Sequence, residues 1–185
     1  MAGHAEGVFT VTREIGIDAG HRVPTHGSKC ANLHGHRYRI LAHCYSSELH
    51  TSGEQTDMGL DFGFLKDVMM TFIDEPCDHG MIMFIDDPML EPLLKTDNLQ
   101  HIRQQLDTGK KSIRVQGVRG TQTKLLVVPF IPTAECLARF WFEIMEGPVN
   151  QASKGLAQLA GVEVWETPNC KAEFFPRIHG AGGVV

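Results

Sequence analysis

His21-Arg-Val-Pro-Thr-His-Gly-Ser-Lys-Cys30-Ala-Asn-Leu-His34-Gly-His36 places three imidazoles and a thiol within sixteen residues, at the junction of two β-type runs. Upstream, Phe9, Val11, Ile15, Ile17 and Ala19 share one parity, and His21 continues it. Downstream, His34, His36, Tyr38, Ile40, Ala42 and Cys44 share another. A period of two is the mark of a strand with one buried face. Side chains two apart in a strand project from the same face, so His34 and His36 can reach one metal ion. His21 can add a third ligand from the neighbouring strand. Three neutral imidazoles with an open fourth position form a catalytic-zinc pattern, whereas structural zinc sites close with four protein ligands.

Beyond this junction, Arg37 and Arg39 alternate with the apolar set, as in a half-exposed antiparallel strand. Thr51-Ser-Gly-Glu-Gln-Thr-Asp57 reads as a turn. Phe64, Leu65, Val68, Met69, Phe72 and Ile73 predict a helix of about three turns ending before Pro76. Residues 86–131 open irregularly at Pro88 and Pro92. A short helix is expected over Asn98–Leu106, closed by Asp107-Thr-Gly109. Ser112–Val118 and Thr123–Phe130 read as a hairpin around Arg119-Gly120. Thr133 caps a second long helix with Leu137, Phe140, Trp141, Ile144 and Met145 as its buried stripe, and Gly147-Pro148 is expected to stop it. Val162–Glu166 and Lys171–Phe175 predict a last hairpin before a frayed Gly-rich end. The class is α+β: antiparallel strands with two main helices against one face.

Composition narrows the function. The 185 residues are 42% hydrophobic and 21% charged, which are globular values that suit one domain with a sizeable core. A net charge of −5 and a pI near 6.0 argue against a nucleic-acid-binding surface. No run approaches the roughly 18 apolar residues of a membrane span. The N-terminal residues lack a signal-peptide layout. Five cysteines without dense spacing fit reduced thiols in a cytoplasmic protein.

Two familiar metal motifs fail. A cupin needs a Glu about four residues after the second His, where Ile40 stands; a metallo-β-lactamase-type site needs Asp-His, where Tyr38-Arg39 stands. Cys30 is open to three readings: a fourth ligand, a base or nucleophile activated by a nearby cation, or a small buried side chain. Asp78-His79 is either a carboxylate fixing an imidazole's tautomer or a capping Asp beside an exposed His. Glu166 shares the parity of Val162 and Val164. A carboxylate there needs donors, which a guanidine-like ligand edge with two parallel N–H groups would match, or else it reaches solvent.

Taken in order, Asp18-Ala-Gly-His21, Cys30-Ala-Asn-Leu-His34-Gly-His36, Gly59-Leu-Asp-Phe-Gly-Phe-Leu65, Cys77-Asp-His79, Pro132-Thr-Ala-Glu135 and Val164-Trp-Glu-Thr167 resemble the 6-pyruvoyl-tetrahydropterin synthase and 6-carboxytetrahydropterin synthase family. The blocks span the chain apart from roughly residues 86–130. The resemblance implies the tunnelling fold: a four-stranded antiparallel sheet with two helices on one face, oligomerised as a hexamer or another multiple of a ring into a β-barrel. It implies a single synthase domain over residues 1–185 with an insertion at about 86–130.

The same resemblance implies that His21, His34 and His36 bind Zn2+. Cys30 would be the catalytic base, with Asp78 and His79 as its partner pair, serving a neighbouring subunit's Cys30. Glu166 would anchor the pterin, and Thr133 and Glu135 would line its pocket. The three-residue gap between Cys30 and His34 is more similar to the carboxytetrahydropterin branch, which serves queuosine (7-deazaguanine) biosynthesis. The implied lyase reaction converts 7,8-dihydroneopterin triphosphate to 6-carboxy-5,6,7,8-tetrahydropterin, acetaldehyde and triphosphate. The alternatives are the 6-pyruvoyl-tetrahydropterin synthase reaction and a non-catalytic pterin- or metal-binding role. Departures from the family pattern are Cys136 after the Glu of the helix block, Gly80-Met-Ile after Asp-His, Cys77, and the long 86–130 segment.

Overall fold

The computed structural model describes residues 7–94, 96–117 and 123–177. Its centre is an antiparallel pair, β1 (Phe9–His21) and β2 (His34–Ser46), in unbroken register from Phe9↔Ser46 to His21↔His34. The alternation read from the sequence is realised: Ile15, Ile17, Ala19, Tyr38, Ile40, Ala42 and Cys44 are buried on one face. The opposite face carries ion pairs such as Arg39–Glu14 and Arg37–Asp18.

β2 continues into β6 (Gln158–Thr167), which pairs antiparallel with β7 (Cys170–Phe174). On the other side, β3 (Gly80–Phe84) lies parallel to the end of β1. It is followed by β5 (Lys124–Val128), also parallel, and by β4 (Ile113–Gln116), which pairs antiparallel with β5. The sheet therefore has seven strands in the order β4-β5-β3-β1-β2-β6-β7, where four antiparallel strands were expected. Within it, β1, β2, β6 and β7 are successive antiparallel neighbours. The surplus comes from β3 and from the β4–β5 hairpin expected in the 86–131 region. The turn of that hairpin at Arg119-Gly120 and the expected Gly-rich fraying lie outside the described residues.

α1 (Phe62–Met69) begins where the Asp61 carboxylate accepts the N–H groups of Gly63 and Phe64. It does not end before Pro76. A π-helical turn over Met70–Asp74 leads into a last α-turn, Glu75–Cys77, so Pro76 sits in the opening of that turn, where its missing N–H costs little. α2 (Leu90–Leu93) and α3 (Thr96–Asp107) follow, with Gly109 at φ 95° closing α3.

α4 (Ala134–Ala152) is capped by Thr133 and runs through the expected stop at Gly147-Pro148. Burial of Val149 and a bond from the Gln55 side chain to the Ala152 carbonyl hold its last turn in place. α1 and α4 pack on the apolar face of the β1–β2–β6 sheet in one core. A second core lies under α2 and α3, where Met83, Leu125 and Val127 turn to the reverse face of β3 and β5. Among the described residues, no helix is long and apolar enough to cross a membrane.

Candidate active site

The β1–β2 register sets His21 directly opposite His34, and His36 lies two residues along the same face. The three ring centroids are 4.5–5.2 Å apart, and one ligand nitrogen from each ring falls within 4.8 Å of the others. Two rings are oriented by backbone carbonyls. His21 Nδ1 donates to the Pro132 carbonyl at 2.7 Å, and His34 Nδ1 to the Asn32 carbonyl at 2.8 Å. A carbonyl only accepts, so Nδ1 carries a proton in both rings, and in a neutral ring so held the lone pair is on Nε2.

His21 Nε2 is buried with no hydrogen-bond partner among the described residues, and Glu166 Oε1 lies 3.8 Å away. Burial above all, helped by the neighbouring His34 and His36, pulls the His21 pKa down to about 4 despite the Pro132 bond. Burial lowers that of His36 as well. Imidazoles converging on one point suit a divalent cation.

A cleft of about 260 Å³ opens beside His21, lined by Cys30, Thr133, Glu135, Glu166, Cys170 and Lys171 among others. Cys30 reaches it from a half-buried position on a 3-10 turn (Lys29–Ala31) in the β1–β2 connection. Thr133 and Glu135 enter from the start of α4, and Glu166 from the end of β6. One cleft thus gathers five of the residues read from the sequence. Asp78 and His79 do not line it. They form a unit of their own where α1 hands over to β3: Asp78 Oδ1 accepts the Asp18 N–H at 2.8 Å, and Oδ2 accepts from His79 Nδ1 at 2.7 Å.

Adjacent residues bond in this way because His79 is held at φ 53°, with its N–H donated to the Asp18 carbonyl. Burial pushes the Asp78 carboxyl up, but the Asp18 N–H and the His79 ring outweigh it, and its pKa is lowered. The His79 side chain is 78% exposed, which leaves Nε2 free for an outside group.

Sequence reading passed over Cys170, Lys171 and Tyr38. The first two line the cleft with Glu166 from the β6–β7 hairpin, where Lys171 pairs with Trp165 and Cys170 with Thr167 around an irregularity that spacing does not specify. Tyr38 was visible only as one more residue on the buried face of β2. A larger hollow of about 410 Å³ beside α1 is lined largely by Phe64, Val68, Phe72 and their neighbours, and no imidazole or thiol enters it.

A mixed α+β fold with three converging imidazoles beside a thiol-bearing cleft, of which His21 alone of the three lines that cleft, defines a class. The chain belongs to the 6-pyruvoyl tetrahydropterin synthase family, whose model matches residues 10–177. It is 30% identical to the 6-carboxy-5,6,7,8-tetrahydropterin synthase of Haemophilus influenzae over 90% of this chain and 99% of that protein. It is 32% identical to the enzyme of the same name from Aquifex aeolicus, over 90% of this chain and 97% of that one.

Among solved structures, an uncharacterized protein of Wolinella succinogenes aligns with a TM-score of 0.69 at 24% identity, covering 92% of this chain and 99% of that chain. The 6-pyruvoyl tetrahydropterin synthase of Plasmodium vivax aligns at 0.56 and 15% identity, covering 93% and 99%. At these identities the structural likeness is one of fold.

Proposed function

We propose that this chain is a zinc-dependent 6-carboxy-5,6,7,8-tetrahydropterin synthase, a cytoplasmic lyase of queuosine (7-deazaguanine) biosynthesis. Its substrates would be 7,8-dihydroneopterin triphosphate and water, and its products 6-carboxytetrahydropterin, acetaldehyde and triphosphate. The observation that carries the reading is that Cys30, Glu166 and His21 share one cleft, in a chain whose near-full-length relatives bear that enzyme's name.

His21, His34 and His36 would hold the zinc, which when bound supplies Lewis-acid polarisation of the substrate's side-chain oxygens. Glu166 accepts two N–H groups from the pterin edge, a bidentate match for a carboxylate. Thr133 and Glu135 close the pocket beside it. Cys30 Sγ takes a proton from the substrate's side chain. His79 hands protons on through Nε2, because Asp78 holds its Nδ1–H. A positioned acid or base is worth about 10²–10⁴-fold in rate.

His79 stands outside the cleft that holds Cys30, so the pair would complete the site of a neighbouring copy. Two further features favour a ring. The cleft volume is below the roughly 300 Å³ at the lower end of small-molecule sites. β1 pairs with β3 only at Ala19–His21, so among the described residues the other edge of Phe9–Asp18 is unpaired, and so is the outer edge of β7. Free edges invite pairing. Joining β1 of one copy to β7 of the next would close the antiparallel strands into the barrel of a tunnelling fold and bring His79 toward the next Cys30.

Incubation of the zinc-loaded protein with 7,8-dihydroneopterin triphosphate tests the reading. 6-Carboxytetrahydropterin with stoichiometric acetaldehyde is expected. A 6-pyruvoyl product without acetaldehyde would assign the sister reaction, and bound but unconverted pterin a non-catalytic role. Cys30→Ala should keep its zinc and lose at least 10²-fold in turnover. Loss of zinc from that variant would make Cys30 a ligand and remove it as base.

A further inference from the structure

We propose that Tyr38 is a positioning residue for Glu166: its buried hydroxyl holds one carboxylate oxygen and fixes the plane in which Glu166 meets a pterin. The inference rests on the reading of Glu166 as pterin anchor and extends it to a residue that has no part in that reading.

The β2–β6 register pairs Ile40 with Val164 and Arg39 with Trp165. The ladder ends at that pair, and Tyr38 and Glu166 are the next residue of each strand, at the end of the sheet that carries the metal-site histidines. Cross-strand neighbours on one face stand about 4.5–5.5 Å apart at Cβ. The Tyr38 side chain is completely buried. Its ring is packed edge-on beneath His21 and His36, at centroid distances of 5.8 and 5.4 Å and interplanar angles of 79° and 80°. These contacts fix where the hydroxyl lies.

That hydroxyl meets no hydrogen-bond partner of ordinary geometry among the described residues, yet the Glu166 carboxylate stands within reach of it. A buried donor without an acceptor is costly, and a phenylalanine would fill the same space without that cost. A small rotation of Glu166, whose side chain is 25% exposed, completes the bond. The carboxylate then keeps lone pairs on both oxygens for a ligand's paired N–H groups.

The test is a double-mutant cycle on the zinc-loaded protein, with neopterin as probe and binding followed by its fluorescence. Tyr38→Phe should keep its zinc, melt no lower than the unaltered chain, and bind neopterin roughly tenfold more weakly, as expected for losing a bond to a charged group. In a Glu166→Ala background the same change should have no further effect. Unaltered neopterin affinity in Tyr38→Phe, an equal loss in both backgrounds, or loss of zinc would each overturn the proposal. If Glu166→Ala itself binds neopterin normally, the anchor reading falls first and takes this one with it. If only Tyr38→Phe binds normally, the anchor stands and Tyr38 is packing alone.

Discussion

Asp78 commits each carboxylate oxygen to a different donor, and the bond to its own neighbour exists only because His79 adopts a left-handed conformation. That pairing was open in the sequence as one of two readings; the backbone that decides between them is set by β3 lying parallel to β1. The histidines were legible because strand parity alone puts them on one face. The separation of His79 from Cys30 was not, since nothing in local spacing encodes it. The thiols divide just as sharply by surroundings. Burial pushes Cys44 and Cys77 up to about 12, whereas Cys170 is exposed and Cys30 and Cys136 are half-buried. The thiolate is the reactive form, so Ellman's reagent at pH 8 should label Cys170 first, then Cys30 and Cys136. Cys44 and Cys77 should react only after denaturation. Early labelling of Cys77 would contradict the packing around it.

At the scale of elements, β6 and β7 are tied on their polar face through Glu163. Its carboxylate accepts from Lys171 Nζ at 3.1 Å and Trp165 Nε1 at 3.2 Å, with His43 Nε2 at 2.9 Å from the other oxygen. Burial raises the Glu163 pKa, but the Lys171 and Trp165 bonds outweigh it, and the value falls below the ordinary 4.5. A lowered carboxyl pKa contributes stability that is present above the ordinary value and lost as pH falls through the folded one. Glu163→Gln should therefore cost on the order of 1 kcal/mol at neutral pH. The gap to the parent chain in urea titrations should narrow below pH 4.5; a gap independent of pH would deny the charge its role. The hairpin itself was legible from alternation. β3 was not: Gly80-Met-Ile-Met-Phe84 is apolar throughout because Ile82 faces one core and Met83 the other, which erases the period of two. Helix ends were misjudged where tertiary contacts overrode proline, at Pro76 through a π-turn and at Pro148 through the buried Val149.

At the scale of the whole molecule, two cores meet at a single strand end. Arg22 follows His21, and its guanidinium lies 3.1 Å from Asp87, whose side chain is fully buried at the start of the 86–130 segment. The other Asp87 oxygen accepts the Met89 N–H at 2.9 Å, next to Leu90 of the second core. The strand that presents His21 is thereby pinned to the β3–β5 half of the sheet. Removing one partner of a buried ion pair strands the other charge, at a cost of roughly 3–5 kcal/mol, whereas replacing both with apolar side chains is far milder. Asp87→Asn and Arg22→Met should each lower the melting temperature strongly, and Arg22→Met/Asp87→Leu should recover most of the loss. Additive losses in the double variant would mean that the two charges stabilise the fold independently. In that case the 86–130 segment would be joined to the histidine strand by β3 pairing alone.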